Sequence, residues 1–223
     1  MISIVIRTKN ERYWLERVLK AIRLQGVKNL ETIVVDNNSK DGTASIASKY
    51  DCKLIRFSNK KFNYSKALNM GIAQSKGGLV AILSGHAIPV NDRWLEGFIA
   101  NFSSKKVAAC YGKQEPLPDS NIFDKRDLWT TFGPEKKIQT KDYFFHNANS
   151  MIRKSIWKKI PFDESLNGVE DRDWARKVLK KGYSIIYEPS ASVYHHHGIH
   201  QAGDRERCKR VVKIIETIRS KKI

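Results

Sequence analysis

Three polar clusters stand out because each directly follows a short apolar run. Arg7-Thr8-Lys9-Asn10-Glu11 comes after Ile2-Ser3-Ile4-Val5-Ile6, Asp36-Asn37-Asn38-Ser39 after Ile33-Val34-Val35, and Ser84-Gly85-His86 after Leu79-Val80-Ala81-Ile82-Leu83. Apolar runs of this length, the first rich in β-branched residues, are expected for strands buried on both faces. In open α/β sheets ligands bind outside the carboxyl ends of the strands, so the clusters stand where chemistry is expected. An Asp at the tip of a second strand can accept hydrogen bonds from a ribose hydroxyl or a base N–H, which suits a nucleotide. Asn, Asp, Ser and Gly are also turn formers, so residues 36–42 read equally well as a turn capping the next helix. No GxGxxG follows the first strand and no GxxxxGKS/T occurs anywhere, which argues against dinucleotide binding of the Rossmann type and against P-loop hydrolysis.

The elements that must position these clusters follow from periodicity. Trp14, Leu15, Val18, Leu19 and Ile22 recur at helical spacing and predict an amphipathic helix over residues 12–24. Strands are expected at 2–6, 31–36, 53–57 and 79–83, with further helices at 43–50 and 65–74. Strands alternating with helices at this pace mean βαβ units, a parallel sheet and helices on its faces. Beyond about residue 105 the alternation fails. One more strand is expected at 107–111. Residues 113–145 carry Pro116, Pro118, Pro134 and isolated aromatics, and read as a long functional loop or subdomain. A helix at 171–181, a strand at 184–187, a loop at 195–203 and a basic amphipathic helix within 204–223 complete the chain. No repeat, low-complexity tract or dividing linker is present.

Composition sets the bounds. The chain has 223 residues, with 41 Lys+Arg against 23 Asp+Glu and a net charge of +18. With 41% hydrophobic and 10% aromatic residues it can build a core, which excludes a wholly disordered chain. No apolar run approaches the ~20 residues of a membrane span, and the N-terminus is too short and wrongly flanked for a signal peptide. Cys52, Cys110 and Cys208 are odd in number and far apart, which suggests a reducing compartment. The charge favours polyanionic partners, whether nucleic acid, anionic lipid or a phosphorylated substrate; the bland alternative is solvated lysine on every face. No zinc pattern or RNP-type aromatic run is present, and nucleic acid is not expected. Residues 205–223 concentrate the excess, with eight Lys/Arg against two Glu.

Taken in order, the motifs are far more specific than any one of them. Ser3-Ile4-Val5-Ile6-Arg7-Thr8-Lys9-Asn10-Glu11 is followed by Ile33-Val34-Val35-Asp36-Asn37-Asn38-Ser39-Lys40-Asp41-Gly42-Thr43 and by Ala67-Leu68-Asn69-Met70-Gly71-Ile72-Ala73. Then come Leu79-Val80-Ala81-Ile82-Leu83-Ser84-Gly85-His86-Ala87-Ile88-Pro89, Val169-Glu170-Asp171-Arg172-Asp173-Trp174 and Gly182-Tyr183. The series resembles the family 2 glycosyltransferases, and does so over nearly the whole chain to about residue 200. The resemblance implies an α/β fold of the nucleotide-sugar-binding GT-A type, with a mostly parallel central sheet flanked by helices. A single domain over 1–223 is expected, with a nucleotide-sugar-binding part at 1–110, an acceptor and catalytic part at 111–200 and the basic helix at 204–223.

By that resemblance Thr8, Asn10, Glu11, Asp36, Asn38, Asp41, Lys66 and Ser84 would bind the nucleotide sugar. Glu170 and Asp171 match the family's acidic motif, in which one carboxylate, most often the second, is the general base toward the acceptor hydroxyl. Inverting transfer is one in-line displacement, needing a base on one face of the anomeric carbon and leaving-group stabilisation on the other. The plain structural alternative for both residues is N-capping of the helix that follows.

One departure matters. The family usually carries Asp-x-Asp after the fourth strand, to hold a divalent metal on the diphosphate, whereas this chain carries Ser84-Gly85-His86. His86 can ligate Mn²⁺ through imidazole, while Mg²⁺ prefers oxygen. Tyr194-His195-His196-His197-Gly198 offers further imidazoles, and His86, His195 and His197 are the candidate metal ligands. The alternatives are metal-independent transfer, with His86, Lys66 or Arg176 countering phosphate charge, and a non-catalytic nucleotide-sugar or glycan-binding module. Acceptor contacts are expected from Gln114, Asn147, Asn149 and Trp174. The expectation is an inverting transferase in surface polysaccharide synthesis, cytoplasmic and peripheral at the inner face of the membrane, acting on a glycan or lipid-linked hydroxyl.

Overall fold

The computed structural model describes residues 1–58, 62–166 and 168–198. The βαβ expectation holds in the first part of the chain. β1 (Ile2–Thr8), α1 (Arg12–Arg23), β2 (Leu30–Asp36), α2 (Thr43–Lys49), β3 (Lys53–Arg56), α3 (Tyr64–Ala73) and β4 (Leu79–Ser84) follow in order. β1 pairs in parallel with both β2 and β4, with Thr8 opposite Asp36 and Arg7 opposite Ser84. The three polar clusters of the sequence therefore emerge side by side at one edge of the sheet.

Alternation along β1 feeds two cores. Ile4 and Ile6 face α1 and α2, which contribute Leu15, Val18, Leu19, Ile22, Ile46 and Ala47. Val5 faces the other way, toward Ala67, Leu68 and Ile72 of α3. Each fully buried aliphatic side chain of α1 contributes about 1.5–3 kcal/mol. Gly71 allows α3 to lie directly on the strands. A Cβ there would collide with the Val5 side chain and come within 2.9 Å of Val35 Cγ2.

The second part adds β5 (Ala87–Pro89), α4 (Trp94–Ile99), a 3-10 turn (Ala100–Phe102), β6 (Val107–Pro116), α5 (Ile122–Thr131) and β7 (Lys137–Gln139). β8 (Asn149–Arg153), α6 (Lys154–Trp157), α7 (Glu170–Lys180) and β9 (Ser184–His195) complete the described elements. The nine-stranded sheet runs β3-β2-β1-β4-β8-β6-β9-β5, with β7 also on β9. The sheet is parallel from β3 to β4 and mixed beyond, because β8 enters antiparallel to both β4 and β6.

Two sequence expectations change. Residues 113–145, expected as a long functional loop or subdomain, hold regular elements: the end of β6, all of α5 and β7. The strand expected at 184–187 continues to His195, which lies between Ala87 of β5 and Pro116 of β6 and is thus a strand residue rather than a loop one. Cys110 is wholly buried on β6, as expected of a small apolar residue. The basic helix expected within 204–223, and Cys208 with it, lies outside the described residues.

Candidate active site

A cavity opens at the carboxyl edge of β1 and β4. Arg7 and Ser84 come from those strands, Tyr64 from the start of α3, and His86 from the turn before β5. His146 and Ala148 precede β8, Gly168, Glu170 and Asp171 surround the start of α7, and His195 and His197 come from the end of β9 and just beyond it. Among the described residues it therefore gathers six of the expected positions: Ser84, His86, Glu170, Asp171, His195 and His197.

The acidic pair is set by α7. Val169 is the N-cap and no side chain caps the helix, so neither Glu170 nor Asp171 serves as the cap that the structural alternative required. The Asp171 carboxylate accepts the backbone N–H of Arg172 at 2.8 Å and that of Asn147 at 3.2 Å. Burial, and then the neighbouring Glu170 charge, push its pKa up to about 7, against the pull of the Arg172 charge and the two backbone donors. A carboxyl in that range exchanges a proton near neutrality, the condition for efficient general-base catalysis. Glu170 is buried and accepts the Gly168 backbone N–H at 3.0 Å.

The same cavity is lined by imidazoles. One ring nitrogen each from His86, His195 and His197 lie within 4.8 Å of one another. Burial and the adjoining His86, His197 and His146 hold His195 well below the usual histidine range, hence neutral at pH 7. Its Nε2 is buried without a hydrogen-bond partner. His86 Nδ1 pairs with Glu11 Oε1, and Thr8 Oγ1 donates to Glu11 Oε2 at 2.8 Å. Burial raises the Glu11 carboxyl, but hydrogen bonds from His86 and Thr8 and the His86 and Arg7 charges bring it below the ordinary value. Gly85 makes this possible. A Cβ there would collide with Glu11 Oε2 and approach Thr8 Oγ1 to 2.8 Å.

The loops after β1 and β2 interlock. Asp36 accepts from the Ser39 backbone N–H at 3.0 Å and from its hydroxyl, and Ser39 Oγ accepts from Asn10 N at 2.7 Å. Asn10 Oδ1 accepts from Lys40 N at 2.9 Å, and Asp41 accepts from Arg12 N and from Thr43 N and Oγ1. This is the turn reading of residues 36–42, realised. Asp36 is buried, Asn38 is exposed, and neither these residues nor Asp41 and Lys66 line the cavity.

Two expected acceptor contacts are corrected. Trp174 is 1% exposed, packs against Phe145 and Phe162 and donates Nε1–H to Ile160 O at 2.7 Å, so no face is left for a sugar. Asn149 spends its amide on Trp94 Nε1, Lys113 O and Ala191 O, which ties β8 to β6 and β9. Gln114 and Asn147 act one step back. Gln114 Nε2 bonds His146 Nδ1 at 3.0 Å, and the Asn147 backbone holds Asp171. Arg176, weighed as a phosphate counterion, is paired with Asp173 at 3.1 Å.

Sequence reasoning missed Arg7, Tyr64 and His146. The Arg7 guanidinium lies 4.6 Å from the centre of the Tyr64 ring, and its Nε makes no hydrogen bond. It is the cation at this cavity. A charged residue ending an otherwise apolar strand was the available signal.

Comparison with known proteins gives the family and the fold. The family described as glycosyl transferase family 2 matches residues 3–161. The chain is 30% identical over 178 residues to the O-antigen chain rhamnosyltransferase WbaN of Salmonella anatum, covering 75% of this chain and 56% of that protein. It is 26% identical over 198 residues to the GalNAc(5)-diNAcBac-PP-undecaprenol beta-1,3-glucosyltransferase of Campylobacter jejuni, covering 82% and 62%. The mannosyltransferase PcManGT from Pyrobaculum calidifontis, solved with GDP-Man and Mn²⁺, superposes with a TM-score of 0.73 at 20% identity, over 99% of this chain and 65% of that one. That likeness is one of fold, and the fold is GT-A. Against its first curated relatives, the chain spans 56% to 66% of their length.

Proposed function

Because the chain belongs to the family 2 glycosyltransferases, we propose that its cavity transfers a sugar from a nucleotide-sugar donor to a hydroxyl of a glycan or lipid-linked acceptor, with inversion. The observation that carries this is Asp171, held near pKa 7 in one cavity with a cation and three imidazoles. Asp171 takes the proton of the acceptor hydroxyl as its oxygen bonds to the anomeric carbon. The bond from that carbon to the diphosphate oxygen breaks on the opposite face, and the nucleoside diphosphate leaves with the electron pair. Arg7 offsets negative charge on the leaving group, and Glu170 acts through Asp171 by keeping its carboxyl basic.

Thr8, Asn10, Glu11, Asp36, Asn38, Asp41 and Lys66 belong to this reading as the nucleotide side, with Ser84 at the cavity wall. Their role for the loops after β1 and β2 is to hold a rigid bed for base and ribose rather than to line the reacting centre. Gln114 and Asn147 belong to the acceptor side through His146 and Asp171. A divalent cation fits the residues present. Three imidazoles converge, and the buried His195 Nε2 lacks a partner. Bound there, such an ion supplies positive charge to a diphosphate. Mn²⁺ suits imidazole better than Mg²⁺.

The relatives' names support an acceptor in polysaccharide or lipid-linked glycan synthesis. Among the described residues no helix is long and apolar enough to cross a membrane. The net charge of +18 favours docking on an anionic surface at about 1 kcal/mol per adjacent Lys/Arg. Such docking would be seen as salt-sensitive binding to anionic vesicles, and equal binding to neutral ones would refute it. The transfer itself is tested with a panel of UDP-, GDP-, dTDP- and CMP-linked sugars. Donor consumption and the anomeric configuration of the product are read by NMR. One donor giving an inverted product supports the reading; a retained configuration, or no donor bound at all, overturns it.

A further inference from the structure

The three imidazoles show more than proximity. His195 Nδ1 lies 2.6 Å from His197 O, and His197 Nδ1 lies 2.8 Å from Gly198 O. A carbonyl oxygen only accepts, so in both rings Nδ1 carries the hydrogen. His86 Nδ1 faces the Glu11 carboxylate, which likewise accepts. With the ring hydrogen on Nδ1 in each case, Nε2 is the nitrogen that each ring has to offer a metal. One of these, His195 Nε2, is buried with no hydrogen-bond partner. Ligating histidines in metal sites are held in this way, the outer ring N–H donating to a carbonyl or carboxylate.

The donor set is also unlike one built for a hard cation. Mg²⁺ and Ca²⁺ select carboxylate and carbonyl oxygens, whereas imidazole favours zinc, copper, iron and nickel. No carboxylate joins the cluster of converging ligand atoms among the described residues. Glu11, the nearest acidic partner, is committed to His86 Nδ1 and Thr8 Oγ1.

We propose that His86, His195 and His197 form a three-imidazole site for a late first-row divalent metal of the Zn²⁺ class, with Glu11 as the positioning residue that orients His86. It builds on the reading of this cavity as a donor site, and it sharpens that reading by naming the metal class. Three neutral ligands leave the ion its full double charge. Three protein ligands also leave coordination positions for a further oxygen donor, as in zinc sites that are not purely structural.

The test uses the full chain, stripped with chelator and titrated with Co²⁺ in the absence of any nucleotide. Expected is one bound ion per chain with the visible d–d bands of a low-coordinate cobalt centre, displaced by stoichiometric Zn²⁺ and not by millimolar Mg²⁺. His197→Ala should lose the bands while keeping the wild-type circular dichroism. Glu11→Ala should weaken binding about 10–100-fold, and Glu11→Gln, which keeps an acceptor for His86 Nδ1, should recover most of it. Absence of stoichiometric uptake by the wild type, displacement by Mg²⁺ as readily as by Zn²⁺, or unchanged bands in folded His197→Ala would each overturn the proposal. Calorimetry with UDP, GDP, dTDP and CMP on the same preparation separates the two readings. Metal uptake without nucleotide binding keeps the metal site and removes the donor reading; nucleotide binding without metal uptake does the reverse.

Discussion

The carboxylate of Asp171 accepts the backbone N–H of Asn147 at 3.2 Å, which fastens the first turn of α7 to the segment entering β8. That bond joins the acidic pair to the central sheet, so the proposed base is held by backbone donors rather than by flexible side chains. It also places Asp171 beside His146, whose Nδ1 faces Gln114 Nε2.

From this follows a pH dependence. Burial and the Glu170 charge raise Asp171 to about 7, with the Arg172 charge opposing them. The base works when deprotonated. kcat/KM for the competent donor should therefore rise about tenfold per pH unit below that value and level off above it. A rate that is flat from pH 5 to 8 would remove Asp171 from the proton transfer.

The same shift has a stability consequence of opposite sense. Between the ordinary 3.8 and about 7, the native state retains a proton that the unfolded chain has lost. Stability then falls as pH rises through that window and is constant above it. Asp171→Asn removes the slope. The variant should gain on the wild type between pH 4 and pH 8 by on the order of 1–4 kcal/mol, read from denaturant unfolding at each pH. Parallel curves for the two proteins would contradict the shift.

Gly85 is where a single methyl should separate the site from the fold. Gly85→Ala pushes against Glu11 and Thr8, neither of which is in the hydrophobic cores. The expected loss is about 1–3 kcal/mol of stability, together with a larger fall in cobalt affinity as Glu11 leaves His86. Full cobalt affinity in the variant would show that the Glu11–His86 contact does not support the site.

Trp174 distinguishes core from sugar platform. Trp174→Ala should destabilise by about 3–5 kcal/mol. Trp174→Phe loses the bond to Ile160 O and part of the buried ring volume, costing about 1–3 kcal/mol, and should leave the KM for acceptor unchanged. A raised KM in a stable Trp174→Phe would restore the stacking role withdrawn above.

What the sequence discloses, and what it hides, follows from how each element buries its residues. β1, β2 and β4 are legible because strands covered on both faces need continuous apolar runs, and the polar clusters at their ends mark the ligand edge. α5 is illegible for the opposite reason. It buries Asp124, Asp127 and Leu128 while Ile122 is 74% exposed and Trp129 60%, so no apolar stripe exists to be read. β8 opens with Asn149 and Ser150, both wholly buried, where a hydropathy pattern expects solvent. His195 looked like loop because β9 continues through Pro189 to reach it. Histidine chemistry singled out His86, His195 and His197, but their convergence depends on β5 pairing with β9, which periodicity does not reveal. Arg7 was hidden among 41 basic residues.

The most direct measurement compares wild type and Asp171→Asn for release of nucleoside diphosphate from the competent donor, with nucleotide affinity measured in parallel by calorimetry. Expected is a fall in turnover of about 10²–10⁴-fold with nucleotide affinity unchanged, as for loss of a general base. Turnover equal to wild type in Asp171→Asn would contradict the assignment of the base and, with it, the mechanism built on this cavity.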